Sequence, residues 1–302
     1  MDDPTRTALI EAPLDNQVLY HYCSASTFQQ IVSSGTIRLS ALTLSNDSLE
    51  GKLVSAVIKK LATADGLEQW KVDQLMKRID MLEELFDGLG LCLSEDGDLL
   101  SQWRGYADDA HGFSIGFSRS YLEWLGGAQS EGGEVGFGIY KVLYSDEDHE
   151  RELRPSYEEM MKQVNAGALQ MNRLAALLLG KPKTDKEVAA EKEAHVQLSH
   201  VILMLFAKWF LLKSNAFREE QEVRLISYLF HRIEGARFVG YRATRNSIIP
   251  YREFAVTEKE RKPIARVVLG PRQVTPVRDV QHFLKVSGFG DVEVVRSKAS
   301  YR

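Results

Sequence analysis

The chain has 302 residues, 44% of them hydrophobic, which is enough to bury a large core in one or two domains. Its formal net charge of −4 gives no general attraction for nucleic acid, although a local basic patch is compatible with that balance. Cys23 and Cys92 are the only cysteines, which argues against a disulfide scaffold and indicates a reducing compartment.

The sequence predicts a cytoplasmic protein with no membrane partner. The N-terminal residues are acidic and lack the apolar stretch of a signal peptide. The longest apolar run, VILMLFAKWFLL, contains Lys208 and is too short to span a bilayer.

The first third of the chain alternates between short strands and helices. The stretches VLYHY and TIRLS predict strands on either side of a helix, which Ser24 or Ser26 caps and Gly35 ends. Two helical segments are expected over about 49–87, and the buried strand LGLCLS follows them.

The stretch SQWRGYADDAHGFSIGF predicts a corner: a short helix, a turn that ends at Gly112, and an alternating strand that pairs into the sheet. Trp103 and Tyr106 lie three positions apart on that helix. This spacing fits a helical stripe buried in the core, and it equally fits one wall of a ligand cleft.

The middle of the chain is predicted to be mostly helical. Ser118 caps a short helix, and a glycine-rich hairpin connection and the strand VGFGIYKVLY follow. Helix is expected from Asp146 to Gly180, with Pro155 near a break, and the capping box TDKE then opens a long helix to about Lys213. The remainder is rich in strands, apart from a late helix with Thr275 as its cap.

These elements predict a single α+β domain over residues 1–302, with a helical segment at about 146–213 inserted or packed on one side. Strands flank a helical middle without regular strand–helix alternation, so a doubly wound parallel sheet is not expected.

The stretch FREEQEVRLISY carries the strongest chemical pattern. If Glu220–Ser227 is a strand, Glu220, Glu222 and Arg224 share one face, and same-side neighbours lie ~7 Å apart. Two carboxylates on one face repel each other, which favours pairing with a cation or a substrate hydroxyl. The alternative is a solvated outer face on which Arg224 pairs with Glu222.

Four stretches together resemble the bacterial family catalogued as domain of unknown function 2971. They are Tyr20-His21-Tyr22, Asn46-Asp47-Ser48-Leu49-Glu50, Trp103-Arg104-Gly105-Tyr106-Ala107-Asp108 and Glu220-Gln221-Glu222-Val223-Arg224. The chain departs from the family pattern at Phe217, where the family often has tryptophan. The resemblance spans roughly Leu19 to Arg272 but supplies no function.

The order of a strand-borne histidine, a later tyrosine and a Glu-x-Glu pair also resembles the His-Tyr-Glu class of ADP-ribosyltransferases. That resemblance implies a split mixed or antiparallel sheet that grips NAD, with a helical insertion, and cleavage of the nicotinamide–ribose bond. It assigns Glu222, or Glu220 in its place, as the catalytic carboxylate, Glu220 as the group that activates an acceptor, and Tyr106 as the ring that stacks on nicotinamide. Five further cofactor-binding candidates follow: His21 on the adenosine ribose, Tyr22 and Trp103 as alternative stacking rings, and Arg224 and Asn46.

The acceptor stays open between a protein, a nucleic acid, a small molecule and water, as does a role as a toxin or defence effector. A metal-dependent nuclease or phosphoesterase is the rival enzyme, because Asp47, Glu50, Glu220 and Glu222 would suit magnesium or manganese. The non-enzyme alternative is a regulatory or interaction protein with a degenerate cleft.

Overall fold

The computed structural model describes residues 17–44, 51–131, 135–170, 183–230, 239–244, 246–256, 261–290 and 292–301. The fold is α+β, as predicted, with helices on both faces of an open mixed sheet in which ten strands take part. These strands, β1 to β10, are Val18–Cys23, Thr36–Ala41, Phe86–Ser94, Phe113–Ser118, Gly138–Lys141, Glu222–Phe230, Val239–Ala243, Ile248–Ala255, Ile264–Leu269 and Glu293–Arg296.

The sheet branches at β3. Strand β6 pairs with β3 along its whole length, Phe86–Ser94. The other edge of β3 carries two strands, since β1 pairs at Ser94 and β2 pairs at Gly90 and Leu89. The sheet therefore forks over residues 91–93 of β3, between β1 and β2, and we call this place the fork. Beyond it, β4, β9 and β10 extend from β1, and β8 and β7 extend from β2.

Seven of the eight α-helices of the described chain cover the sheet in two groups, and the fourth along the chain packs separately. In chain order, α1 to α8 are Ala25–Ser34, Lys52–Ala64, Gln69–Asp80, Leu100–Tyr106, Arg119–Glu131, Asp146–Asn165, Asp185–Leu203 and Val277–Val286. Helices α1, α5 and α8 pack on one face with Leu89, Leu93 and Leu225, and we call it the core face. The opposite face carries Glu222 and Arg224, and we call it the glutamate face; α2, α3, α6 and α7 pack there around Ile226. No α-helix in the described ranges is long and apolar enough to cross a bilayer.

Several local signals are confirmed. The Ser24 side chain caps α1 by accepting a hydrogen bond from the Thr27 amide, and Gly35 ends the helix in the left-handed conformation at φ 63°. Thr184 and Glu187 form the predicted capping box of α7. The strands β1, β2, β4 and β6 lie within a residue or two of their predicted positions.

Other predictions are wrong where packing overrides local preference. Helix α6 runs through Pro155, because side chains on either side of it are buried in the core of the glutamate face. Helix α5 continues to Glu131, where a glycine-rich hairpin connection was expected. Gly126 allows the helix to approach the Phe137 carbonyl oxygen, which a Cβ at position 126 would meet at 2.4 Å. Helix α7 ends at Leu203, where a 3₁₀ turn takes over.

Two further boundaries differ from the predicted ones. Phe86, expected in a helix, opens β3 opposite Phe230 and packs among the aromatic rings of Phe206 and Trp209. Thr275 does not cap α8; its hydroxyl donates to the Gln273 side chain, and Pro276 takes the N-cap position.

Candidate functional site

The predicted corner is present as helix α4, a turn and strand β4. The turn is unusual because Asp108, Asp109 and Ala110 all adopt left-handed backbone conformations, at φ 51°, 49° and 70°. Aspartate tolerates this region better than alanine does, so Ala110 is the strained member. Two backbone hydrogen bonds fix Ala110 in this conformation. The Ala110 amide donates to the Trp103 carbonyl, and the Arg272 amide donates to the Ala110 carbonyl.

Trp103 and Tyr106 have different surroundings despite sharing α4. Trp103 is fully buried, meets Tyr22 edge-on at 4.9 Å between ring centroids, and donates its indole N–H to Asp98. Tyr22 is also buried, and Tyr301 packs against the cluster that contains both rings. Tyr106 is 38% exposed, and its hydroxyl donates to Glu220 Oε1 at 2.9 Å. Trp103 is therefore part of the core, as one of the two interpretations of this helix predicted, whereas Tyr106 lies beside the glutamates.

The two glutamates do not alternate along one strand as predicted. Strand β6 begins at Glu222, whereas Glu220 ends a 3₁₀ turn, Asn215–Glu220. Between them Gln221 is left-handed at φ 46°. Their carboxylates nevertheless converge, because Lys213 Nζ lies 2.5 Å from Glu220 Oε2 and 2.9 Å from Glu222 Oε2.

Glu222 also forms a two-point ion pair with Arg224. The Arg224 Nε lies 2.7 Å from Glu222 Oε1 and Nη2 lies 3.1 Å from Oε2, while Nη1 donates to the Phe210 carbonyl. The predicted pairing of Arg224 with Glu222 is confirmed. The prediction that this pair lies on a solvated face is wrong, since Glu222 is only 4% exposed and Arg224 only 1%. We call Lys213, Glu220, Glu222 and Arg224 the ion-pair cluster.

The charges within the ion-pair cluster stabilise one another. Burial disfavours ionised Glu222, but Arg224 and Lys213 outweigh it and lower the pKa of Glu222 to about 2. Burial likewise opposes the charge on Lys213, but the two glutamates raise its pKa above the usual range. Burial and the neighbouring Glu220 raise the pKa of Tyr106, so its hydroxyl stays protonated and remains a donor. Two cations thus balance two carboxylates.

Acid should lower the free energy of unfolding, because Glu222 becomes protonated. Because the pKa of Glu222 falls from 4.5 to about 2 on folding, its ionised form stabilises the fold above pH 4.5, and this contribution is lost as the pH falls towards 2. The loss should reach about 3 kcal/mol. Urea denaturation of wild type and Glu222→Gln between pH 7 and pH 2 measures it: the stability gap should narrow in acid, and a constant gap would contradict the assigned pKa.

His21 lies near the ion-pair cluster along the sheet but on its other side. Strand β1 is separated from β6 by β3 alone, so the predicted closeness of the two strands is confirmed, at ~10 Å between their backbones. Alternation places His21 with Leu19 and Cys23, which are buried on the core face. Its ring Nδ1 hydrogen-bonds the Cys92 carbonyl at 3.0 Å, and burial lowers its pKa.

The remaining predicted ligands of NAD or metal lie outside the described residues: Asn46, Asp47 and Glu50. Within the described ranges, no three His, Cys, Asp or Glu residues gather closely enough to hold a metal ion. The carboxylates of Glu220 and Glu222 are engaged by protein cations, Lys213 and Arg224.

Comparison with known proteins finds one family. Residues 102–225 match the model of the family described as "Protein of unknown function (DUF2971)". The matched segment belongs to DUF2971. It runs from α4 into β6 and contains Trp103, Tyr106 and the whole ion-pair cluster, whereas His21 and Tyr22 precede it. No curated protein and no solved structure matches the chain.

Sequence reasoning missed two residues of the DUF2971 segment. Lys213, which bridges the glutamates, also lies over the ring of Phe217, at 4.7 Å from its centroid. Tyr144 accepts a hydrogen bond from the Glu222 amide at 2.8 Å. One signal was available: Lys213 ends the apolar run WFLLK, and a lysine there implies a buried cation with an acidic partner.

Proposed function

We propose that this protein is an ADP-ribosyltransferase-like enzyme that takes NAD as a substrate and breaks the nicotinamide–ribose bond. One observation carries the proposal: Tyr106 donates a hydrogen bond to Glu220, a member of the charge-balanced ion-pair cluster that comes from a separate element. This arrangement supplies a fixed carboxylate and an accessible aromatic ring at one place.

The chemistry needs a carboxylate that faces the ribose. Nicotinamide leaves with the electron pair of the C–N bond, and the ribose develops positive charge. A fixed negative charge stabilises that transition state more than the ground state. Glu220 suits this role better than Glu222, because its side chain is 12% exposed and that of Glu222 is 4% exposed.

The other members of the ion-pair cluster then act through Glu220. Lys213 holds the Glu220 carboxylate, and Glu222 with Arg224 holds Lys213, so Glu222 is a positioning residue in this proposal. Of the two assignments that the sequence left open, the proposal adopts Glu220 as the catalytic carboxylate.

Two features of the chain fit NAD, and the two alternative stacking rings do not. Tyr106 is partly exposed with its hydroxyl fixed, so its ring suits stacking on nicotinamide. Glu220 suits the ribose. Trp103 is fully buried and Tyr22 is only 5% exposed, so neither ring suits stacking on a ligand. The acceptor of the ADP-ribose group, water included, stays open in this proposal.

Glu220→Gln should reduce nicotinamide release from NAD by about 100-fold or more, the size of effect seen when one stabilising group of a transition state is removed. The amide oxygen still accepts from Tyr106, and Lys213 keeps Glu222, so the fold should persist. Chromatography of nicotinamide after incubation of the purified protein with NAD measures the rate, and circular dichroism checks the fold.

Glu253→Gln is the matched control, since Glu253 forms an exposed ion pair with Arg38 and should leave the rate unchanged. A folded Glu220→Gln protein that releases nicotinamide as fast as wild type would overturn the assignment of Glu220. Wild-type protein whose melting temperature does not respond to millimolar NAD would overturn the proposed function itself.

A further inference from the structure

The turn between the two glutamates is held from outside by residues at the end of strand β3. Gln221 has left-handed backbone angles, φ 46° and ψ 49°, which residues with a Cβ adopt at a cost. The Ser94 hydroxyl donates to the Glu220 carbonyl at 2.8 Å, and the Glu95 amide donates to the Gln221 carbonyl at 3.0 Å. A strained conformation of this kind persists only where its surroundings enforce it, and here two donors enforce it.

Ser94 is itself fixed, so it defines where the turn lies. It is 1% exposed, and it pairs with Glu222 on one side and with Tyr20 on the other. Its hydroxyl accepts a hydrogen bond from the Asp96 amide at 3.2 Å, and its single proton goes to the Glu220 carbonyl. The donor in this bond therefore has little freedom to follow Glu220 when Glu220 moves.

The turn decides how the Glu220 side chain leaves the backbone. An extended Gln221 would continue the alternation of β6 and place the Glu220 side chain ~7 Å along that face from the next one. With the turn, the Glu220 carboxylate lies 2.5 Å from Lys213 and 2.9 Å from Tyr106. These two contacts hold the carboxylate, and Ser94 holds the backbone from which the side chain extends.

We propose that Ser94 is a positioning residue, which sets the direction of the Glu220 carboxylate by holding the turn at Gln221. The proposal rests on the proposed function, because it takes Glu220 as the carboxylate that faces the ribose. It assigns Ser94 no contact with NAD. It adds that the rate of bond breaking depends on a hydrogen bond to the backbone of Glu220, donated by a strand that carries none of the proposed catalytic side chains.

Ser94→Ala should reduce kcat for nicotinamide release by about 10-fold or more, since small displacements of a catalytic group cost at least that much. The KM for NAD should change less than about twofold, because Glu220 stabilises the transition state more than bound NAD. Nicotinamide release is measured over a range of NAD concentrations, at a temperature at which circular dichroism shows the variant to be folded. A hydroxyl that only stabilises the fold would leave kcat unchanged under these conditions.

Ser227→Ala is the matched control. Ser227 is also 1% exposed, and its hydroxyl also donates to a backbone carbonyl, that of Gly136 at 2.6 Å. It lies on the core face, so its replacement should lower the melting temperature and leave kcat at the wild-type value. A similar fall in kcat in Ser94→Ala and Ser227→Ala would mean that lost stability, not the position of Glu220, limits the rate, and would overturn the proposal.

Gln221 offers a second test, which does not depend on the folding of Ser94→Ala. Its side chain is exposed, so its replacement leaves the core packing intact. Gln221→Gly should keep the wild-type kcat, since glycine adopts left-handed angles freely. Gln221→Val should lower kcat by about 10-fold, since β-branched residues resist these angles. Equal kcat values in the two variants would show that the turn does not position Glu220.

Failure of this inference and failure of the proposed function give different results. If the wild type releases nicotinamide and folded Ser94→Ala keeps the wild-type kcat, Ser94 does not position Glu220, and the proposed function is unaffected. If the wild type releases no nicotinamide from NAD, the proposed function fails, and this inference fails with it.

Discussion

Replacement of Glu222 by glutamine is expected to lower the free energy of unfolding by about 3–5 kcal/mol, the usual cost of removing one partner of a buried ion pair. Glu222 is 4% exposed and neutralises Arg224, itself 1% exposed, at two points. The amide keeps the shape but leaves the guanidinium without its main counter-ion. Urea denaturation at pH 7 measures the loss, because the midpoint and slope give the free energy of unfolding.

Glu253→Gln is again the control for this measurement. The Arg38–Glu253 pair has a similar N–O distance, 2.8 Å, but both side chains are more than 40% exposed, so its loss should cost at most about 1 kcal/mol. If Glu222→Gln costs no more than Glu253→Gln, the ion-pair cluster is screened by water and the description of a buried network is wrong.

Gly112→Ala should destabilise the fold by about 3 kcal/mol or more, at the upper end of overpacking effects. A Cβ at this position would lie 2.1 Å from the Cys23 carbonyl oxygen and 2.8 Å from the Ala107 carbonyl oxygen. Both obstacles are backbone atoms, so relief requires movement of β1 or of the left-handed turn. Thermal and urea denaturation followed by circular dichroism measure the effect.

Gly105→Ala is the matched control, in the same corner but inside α4. A Cβ there would meet nothing within 4 Å, and alanine favours helix over glycine, so the change should stabilise the fold by about 0.5–1 kcal/mol. A loss of stability in Gly112→Ala together with a gain in Gly105→Ala would support the corner as described. Equal, small effects would show that the turn yields to a side chain at Gly112.

Local sequence patterns predicted much of the fold because their causes are local. The cap at Ser24, the left-handed Gly35 and the alternation of β6 from Glu222 onward each depend on residues within a few positions. The corner from α4 to β4 was predicted for the same reason. Boundaries failed where distant packing decides, as at Phe86, which a helical periodicity had included.

The candidate site was only half predictable. The Glu-x-Glu pattern and Tyr106 were found, but the reason offered for their proximity, strand alternation, is wrong because Gln221 turns left-handed between the glutamates. Lys213 brings the carboxylates together instead, from a segment whose position depends on packing against the sheet. No periodicity in the sequence predicts contacts of that kind.

The fork has a mechanical consequence for the sheet. Among the described residues, the β1–β4–β9–β10 wing joins the rest of the sheet through one ladder pair, Tyr20 and Ser94, beside which the His21 ring hydrogen-bonds the Cys92 carbonyl. A ladder of hydrogen bonds is directional and resists shear, whereas the side chains shared across this seam, such as Leu19 and Leu93, resist only separation. A change in the angle between the two wings would leave every longer ladder intact, and Ser94, which also bonds the Glu220 carbonyl, lies where the wings join.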